Sequence, residues 1–412
     1  MNERILTDGD SVAEDLALRM TKMRRLSCSL CGVIMECGVQ ADRCWCQTYP
    51  SLPPEAVDPN LDCLCAACLL NSHIDFSLNQ KTMPRGALGE IGELAKQIAR
   101  IQKTMQPSVE RSAIIVFAAD HGVSEEAVSA YPKEVTWQMV ENFRGGGAAI
   151  NVLTRAQGIG LFVVDAGVDH DFTTQVSDNP SLIGTFLSQK VGPGTANFAR
   201  GPAMTLGQAQ TCLDMGRQAA RLAIQTSATH ALGFGEMGIG NTTSAAAIIC
   251  KLLKLSPREV VGRGTGIDDA KLKLKQEVVA RALALHEQAH TPVEVLASLG
   301  GFEIGQMTGA MLEAAQLGQI LVIDGFITSA ALLLAHAIEP TIIQSCVFAH
   351  QSEETGHVLV LQALGVKPLL KLGLRLGEGS GAALAMPLLK SAAAILSEMA
   401  SFASSGVSES VK

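Results

Sequence analysis

Four short β-rich runs, each closed by turn residues and followed by a stretch able to form helix, constrain this chain more than any other feature. They are residues 113–119 before Asp120-His121-Gly122, 161–164 before Asp165-Ala166-Gly167, 229–234 before Gly235-Glu236, and 320–323 before Asp324-Gly325-Phe326. Repeated strand, turn and helix units predict an α/β fold with a parallel sheet, because parallel neighbours need a crossover long enough to hold a helix. In such sheets ligands bind beyond the carboxyl ends of the strands, so the polar residues there become the site candidates. Ahead of these units, Leu88, Ile91, Leu94, Ile98 and Ile101 recur at spacings of three and four, which predicts one amphipathic helix. With 412 residues and 47% hydrophobic content, the chain can bury a large core and hold more than one domain. Its most apolar stretch, residues 319–338, is interrupted by Asp324 and His336, so a buried strand and helix are expected there and no membrane span.

Cysteines divide the chain unevenly. Eight of the eleven fall between residues 28 and 68: Cys28, Cys31, Cys37, Cys44, Cys46, Cys63, Cys65 and Cys68. Cys28-x-x-Cys31, Cys44-Trp-Cys46 and Cys63-Leu-Cys65-Ala-Ala-Cys68 set thiolates in pairs, as tetrahedral zinc sites do. The spacing resembles small cysteine-rich modules built around a Cys-Trp-Cys centre. A segment this short cannot build an adequate core alone, so metal would supply its folding energy. We expect a cysteine-rich, zinc-binding module over residues 1–75, with its boundary near residues 71–81, and a main region over 76–412. Cys212, Cys250 and Cys346 stand singly in apolar surroundings and read as core residues.

The balance of charge narrows the function class. A formal net charge of -8, with no lysine- or arginine-rich run, gives no support for a nucleic-acid partner and favours small-molecule chemistry. The opening MNERILTDGDSVAEDLALRM lacks the apolar core of a signal peptide, so a cytoplasmic protein is expected.

Two familiar motifs fit by pattern and fail by context. Gly233-Phe234-Gly235-Glu236-Met237-Gly238 satisfies the dinucleotide fingerprint, and Glu259 lies some way downstream. Yet the charged Glu236 would occupy a position where pyrophosphate needs neutral backbone. His286-Glu287-Gln288-Ala289-His290 matches the zinc-protease signature, but Thr291-Pro292 ends its helix at once and no third ligand follows. A metalloprotease at His286 and His290, or a metal-binding adaptor acting through the cysteines, remain the alternatives to an enzyme built on the sheet.

The stretch Leu374-Arg375-Leu376-Gly377-Glu378-Gly379-Ser380-Gly381 is the most chemical part of the sequence. A carboxylate between glycines, directly before a helix start, is a candidate general base beside an anion site. Glycine-rich polar stretches at residues 143–151, 192–197, 238–243 and 262–266 suggest further backbone cradles for an anionic ligand such as a phosphoribosyl group.

With these motifs the chain resembles the nicotinate-nucleotide:dimethylbenzimidazole phosphoribosyltransferases. The resemblance runs from Met83-Pro84-Arg85-Gly86 to Met386-Pro387, through Ala119-Asp120-His121-Gly122-Val123, Tyr131-Pro132-Lys133-Glu134-Val135-Thr136, Gly235-Glu236-Met237-Gly238 and Gly300-Gly301-Phe302-Glu303. Ala87 stands where the family usually has serine, and the cysteine module lies outside the likeness. The resemblance implies a Rossmann-like parallel sheet flanked by helices over about 111–384, and a small helical domain from about 76–110 with 385–405. It also implies a homodimer, no cofactor for catalysis, and transfer of the 5-phosphoribosyl group from nicotinate mononucleotide to 5,6-dimethylbenzimidazole or a related base. Glu378 is then the general base, with Glu236 and Lys275 in the same site. Tyr131, Gln138 and Met237 resemble the family's pocket for the base. Gly238, Asn241, Thr242, Ser352, Ser380 and Gly381 are the candidates for holding phosphate. Asp120 and His121 are left to a structural turn.

Overall fold

The structure is a computed structural model that describes residues 24–37, 52, 63–172, 185–264 and 266–408. The chain divides into two compact units, Met1–Pro107 with Ala392–Lys412, and Ser108–Ser391.

The larger unit is built on a six-stranded parallel sheet. Its strands are β3 (Ser112–Ala119), β4 (Gly160–Gly167), β5 (Thr185–Ser188), β6 (Ala231–Met237), β7 (Ile320–Ile323) and β8 (Cys346–Phe348). They lie in the order β5-β4-β3-β6-β7-β8, every neighbouring pair parallel. The earliest strand of the sheet is thus central, and the chain winds outward to one edge before crossing to the other. That order puts a topological switch point between β3 and β6, where the crossovers diverge and leave a crevice. The Rossmann-like expectation is met.

Composition explains the layering. β3 reads Ser-Ala-Ile-Ile-Val-Phe-Ala-Ala and is buried beyond its first residue, as a strand covered on both faces requires. β3 pairs with β6 from Ser112↔Ala231 to Ala118↔Met237, which brings the ends of both strands level at the switch point. The helices Leu206–Ser227 and Phe302–Gln316 pack against each other, and Asn241–Leu253 and Phe326–Ile338 are buried along much of their length. The apolar stretch at 319–338 is the buried strand β7 followed by a buried helix, as its interruptions required. Cys212, Cys250 and Cys346 are buried core residues. The short edge strands β5 and β8 are additions that the sequence pattern does not announce.

In the smaller unit an antiparallel hairpin, β1 (Arg24–Ser27) with β2 (Ile34–Cys37), precedes the helix Ala66–Asn79. The stretch from Asn71 expected to hold a boundary is helix as far as Asn79. This helix packs on Glu90–Gln102, burying Leu70, Ile74 and Leu78 against a face that includes Leu94, Ala95, Ile98 and Ala99. Lys96 bridges to Asp75 at 2.8 Å, and Arg100 Nε donates to Asn71 Oδ1 at 2.8 Å, fixing the pairing at its rim.

Candidate active site

A cavity of about 630 Å³ opens beyond the carboxyl ends of β6, β7 and β8 in the larger unit. Each strand delivers polar residues to it: Glu236 and the following turn, Asp324 and the start of the helix Phe326–Ile338, and His350 with Ser352. The loop from Gly373 to Glu378 closes another side.

The backbone of that loop determines how Glu378 is presented. Gly377, Glu378 and Gly379 have φ of 83°, 60° and 82°, three successive left-handed residues. Such a run costs an L-residue about 1–2 kcal/mol, so glycines on either side confine the strain to the one position that carries chemistry. Gly377 has a second constraint, since a side chain there would run into Glu236 Oε1. Gly235 in β6 likewise leaves no room for a Cβ, because the backbone of Glu378 and Gly379 lies directly over it. Strand and loop therefore meet backbone to backbone, holding Glu236 and Glu378 at one cavity wall. Glu378 Oε2 accepts a hydrogen bond from the Ile150 amide at 3.3 Å, in the first turn of the helix Ala149–Gln157.

Three buried carboxyls share this site. Burial raises all three, and the Ile150 bond only partly offsets the effect at Glu378. Asp324 is pushed to about 7, first by burial and also by the charge of Glu378, against hydrogen bonds from the amides of Ala382, Gly381 and Gly379. Glu236 is pushed to about 8 by burial, then by the charges of Asp324, Glu303 and Glu378, with an opposing bond from Asn241. The charge of Glu378 adds to burial in raising both others, and at about 8 Glu236 is mostly protonated at neutral pH. A buried carboxyl beside the protonated Glu236 suits a general base with a hydrogen-bond donor at hand.

The other candidates fall into two groups. Tyr131, Met237, Gly238, Asn241, Thr242 and Ser352 line the cavity with Glu236 and Glu378. Lys275 lies behind Thr242, its Nζ donating to Thr242 Oγ1 at 2.7 Å, and it is buried while Lys273 of the same helix is exposed. Burial lowers it to about 8. Gln138 is exposed and outside the lining; Val135 and Met139, one turn apart on its helix, line the cavity instead. Ser380 and Gly381 are also outside the lining. The amides around them are directed at Asp324, Ala382 donating to Oδ1 at 3.0 Å, so this helix start is already occupied by a carboxyl. Of the four glycine-rich stretches, 238–243 and 262–266 reach the cavity; 143–151 provides the Ile150 bond; and 192–197 packs on Asp120, whose backbone carbonyl accepts from Thr195. Asp120 also accepts from the Asp169 amide at 2.8 Å, and His121 pairs with Glu303 at 2.7 Å in full burial. Both make structural hydrogen bonds.

A family model described as Phosphoribosyltransferase matches residues 70–407. The protein named nicotinate-nucleotide–dimethylbenzimidazole phosphoribosyltransferase in Cupriavidus necator is 49% identical over 82% of this chain and 95% of its own length. Its namesake in Aromatoleum aromaticum is 47% identical over 83% and 97%. The chain belongs to this phosphoribosyltransferase family. The crystal structure of CobT from Thermus thermophilus superposes with a TM-score of 0.79 at 46% identity, covering 83% of this phosphoribosyltransferase and all of that chain.

Both misleading motifs have physical explanations. Gly233 and Gly235 lie inside β6, where the second makes room for the Glu378 loop, so the fingerprint forms no phosphate loop. The protease reading is overturned as well: the helix ends at Leu285, His286 is buried with Nε2 at 2.9 Å from the Phe198 carbonyl, and His290 is exposed. The family match also leaves the adaptor reading unsupported. Asp324, one of the strand-end candidates, and Arg375 line the cavity, although the sequence assigned neither a role. A usable signal existed for each, since Asp324 ends a strand and Arg375 stands three residues before Glu378.

Among the described residues, the sulfurs of Cys28, Cys31, Cys65 and Cys68 lie within 4.8 Å of one another. Cys63 is not in that group; its carbonyl accepts from the Ser29 amide instead. Cys44, Cys46 and the side chain of Cys37 lie outside the described residues. All four clustered cysteines precede residue 70, where the family match begins.

Proposed function

We propose that this chain transfers the 5-phosphoribosyl group from nicotinate mononucleotide to 5,6-dimethylbenzimidazole, giving α-ribazole 5′-phosphate and nicotinate in cobalamin nucleotide-loop assembly. The observation that carries the mechanism is the place of Glu378 in the cavity wall, on a left-handed loop packed backbone to backbone against β6 beside Glu236. One ring nitrogen of the benzimidazole attacks the anomeric carbon as the bond to nicotinate breaks, with inversion. The bonding pair returns to the pyridinium nitrogen, which leaves neutral, so departure needs no general acid. The proton on the second benzimidazole nitrogen passes to the Glu378 carboxylate.

The remaining residues divide the binding. Tyr131, Met237, Val135 and Met139 offer the incoming base an apolar slot. Gly238, Asn241 and Thr242, at the start of the helix Asn241–Leu253, and Ser352 offer the phosphate amides and hydroxyls. Lys275 supports that group through Thr242. Glu236, protonated near neutrality, is a donor for the ribose. Arg375 adds a cation at the mouth. Oxidation state is unchanged throughout, and the reading assigns catalysis no cofactor.

A homodimer follows from the family resemblance. The net charge of -8 argues against a nucleic-acid partner. Incubation with nicotinate mononucleotide and dimethylbenzimidazole should release nicotinate in step with α-ribazole phosphate. A well-folded protein with no turnover would sink the assignment. Competition among benzimidazoles and purines would then rank the bases the slot accepts.

A further inference from the structure

We propose that Cys28, Cys31, Cys65 and Cys68 bind one zinc ion through four thiolates, forming a structural site outside the family-matched region. Two segments supply the ligands. Cys28 and Cys31 lie on the turn between β1 and β2, whose backbone is folded by Cys28 N donating to Val33 O at 2.9 Å and Gly32 N to Cys28 O at 2.8 Å. Cys65 caps the helix Ala66–Asn79 and Cys68 stands in its first turn. Both pairs have Cys-x-x-Cys spacing, so each turn directs two sulfurs to one point.

Geometry favours a single tetrahedral metal. A Zn–S bond of about 2.3 Å sets adjacent sulfurs of a tetrahedron roughly 3.8 Å apart, and Cys31 Sγ lies 3.7 Å from Cys65 Sγ. The Cys65 amide donates to Cys28 Sγ at 3.2 Å, the kind of outer hydrogen bond that orients a thiolate ligand. The hairpin also needs a staple. Of its described apolar side chains, Leu30, Val33 and Ile34 are exposed and Leu26 and Met35 only half-buried, whereas Cys28 is buried. The thiol cluster therefore occupies the place of a core, and metal binding can supply the missing folding energy. Four sulfurs also suit iron, but the proposed transfer moves no electrons and gives such a centre no redox partner on this chain.

The test uses the full chain purified under reducing conditions. Elemental analysis should find zinc, and C31S and C65S should each lose one equivalent relative to the parent, while C63S keeps it. Should the variants fold poorly, X-ray absorption on the parent should show zinc with four sulfurs at about 2.3 Å. Iron in place of zinc, a mixed nitrogen and sulfur shell, disulfides among the four cysteines, or full zinc retention in the C31S/C65S double variant would overturn the site.

Discussion

Glu378 combines a strained backbone with a buried carboxyl, which burial raises and the Ile150 amide partly lowers. Glu378→Gln should lower kcat by roughly 10²-fold or more with little change in KM, as loss of a general base predicts. A near-parental kcat in steady-state assays would remove its role. The acid limb of kcat/KM should inflect above the ordinary glutamate value of 4.5, because burial raises Glu378. Asp324 makes a separate prediction about stability. Its folded value of about 7 exceeds the unfolded 3.8, so the folded state keeps a proton that the unfolded chain releases. Its contribution is full below about pH 4 and is lost as pH rises through about 7, at up to about 1.4 kcal/mol per pH unit for one proton. Denaturation from pH 5 to 8 should therefore show a smaller decline in Asp324→Asn than in the parent; parallel curves would contradict the shift. Glu378 was legible as a residue because its flanking glycines are a local signal. The raised value of Asp324 was not, since it arises first from burial and then from the charge of Glu378, brought beside it across the sheet.

At the scale of elements, the crossing of β6 with the Glu378 loop is the critical contact. Gly235→Ala would place a methyl group against the Glu378 backbone, and a displacement of about 1 Å at a reacting group can cost on the order of 10²-fold. The variant should retain its circular dichroism and lose most of its kcat. Normal turnover would mean that the loop can shift without penalty. Four of the six strands could be read from apolar runs ending in turn residues, whereas β5 has exposed ends and a half-buried middle and β8 is three residues long, so neither offers a sustained apolar run. Lys275 shows the same limit on a helix: its basic surroundings resemble a solvated face, and only packing buries it beneath Thr242. Gln138 errs in the opposite direction, because likeness of sequence could not say which side of its helix faces the cavity.

For the whole molecule, the zinc proposed at the thiol cluster is expected to have no part in the chemistry at the sheet ends. Treating the full chain with a zinc chelator should remove metal while nicotinate release persists; turnover that falls in proportion to zinc would tie the two together. Light scattering should give twice the chain mass if the homodimer holds. By itself the sequence determined the α/β class, the collinear motifs that carry the family, the Glu378 loop and the cysteine pairs, because each depends on residues close together in the chain. Tertiary structure decided which four of the described cysteines cluster and which glycines are spacers. It also decided that the Ser380 helix start serves Asp324 and that Glu236 and Glu378 share one cavity wall. Those outcomes depend on distances and burial between segments far apart in sequence, which no local pattern encodes.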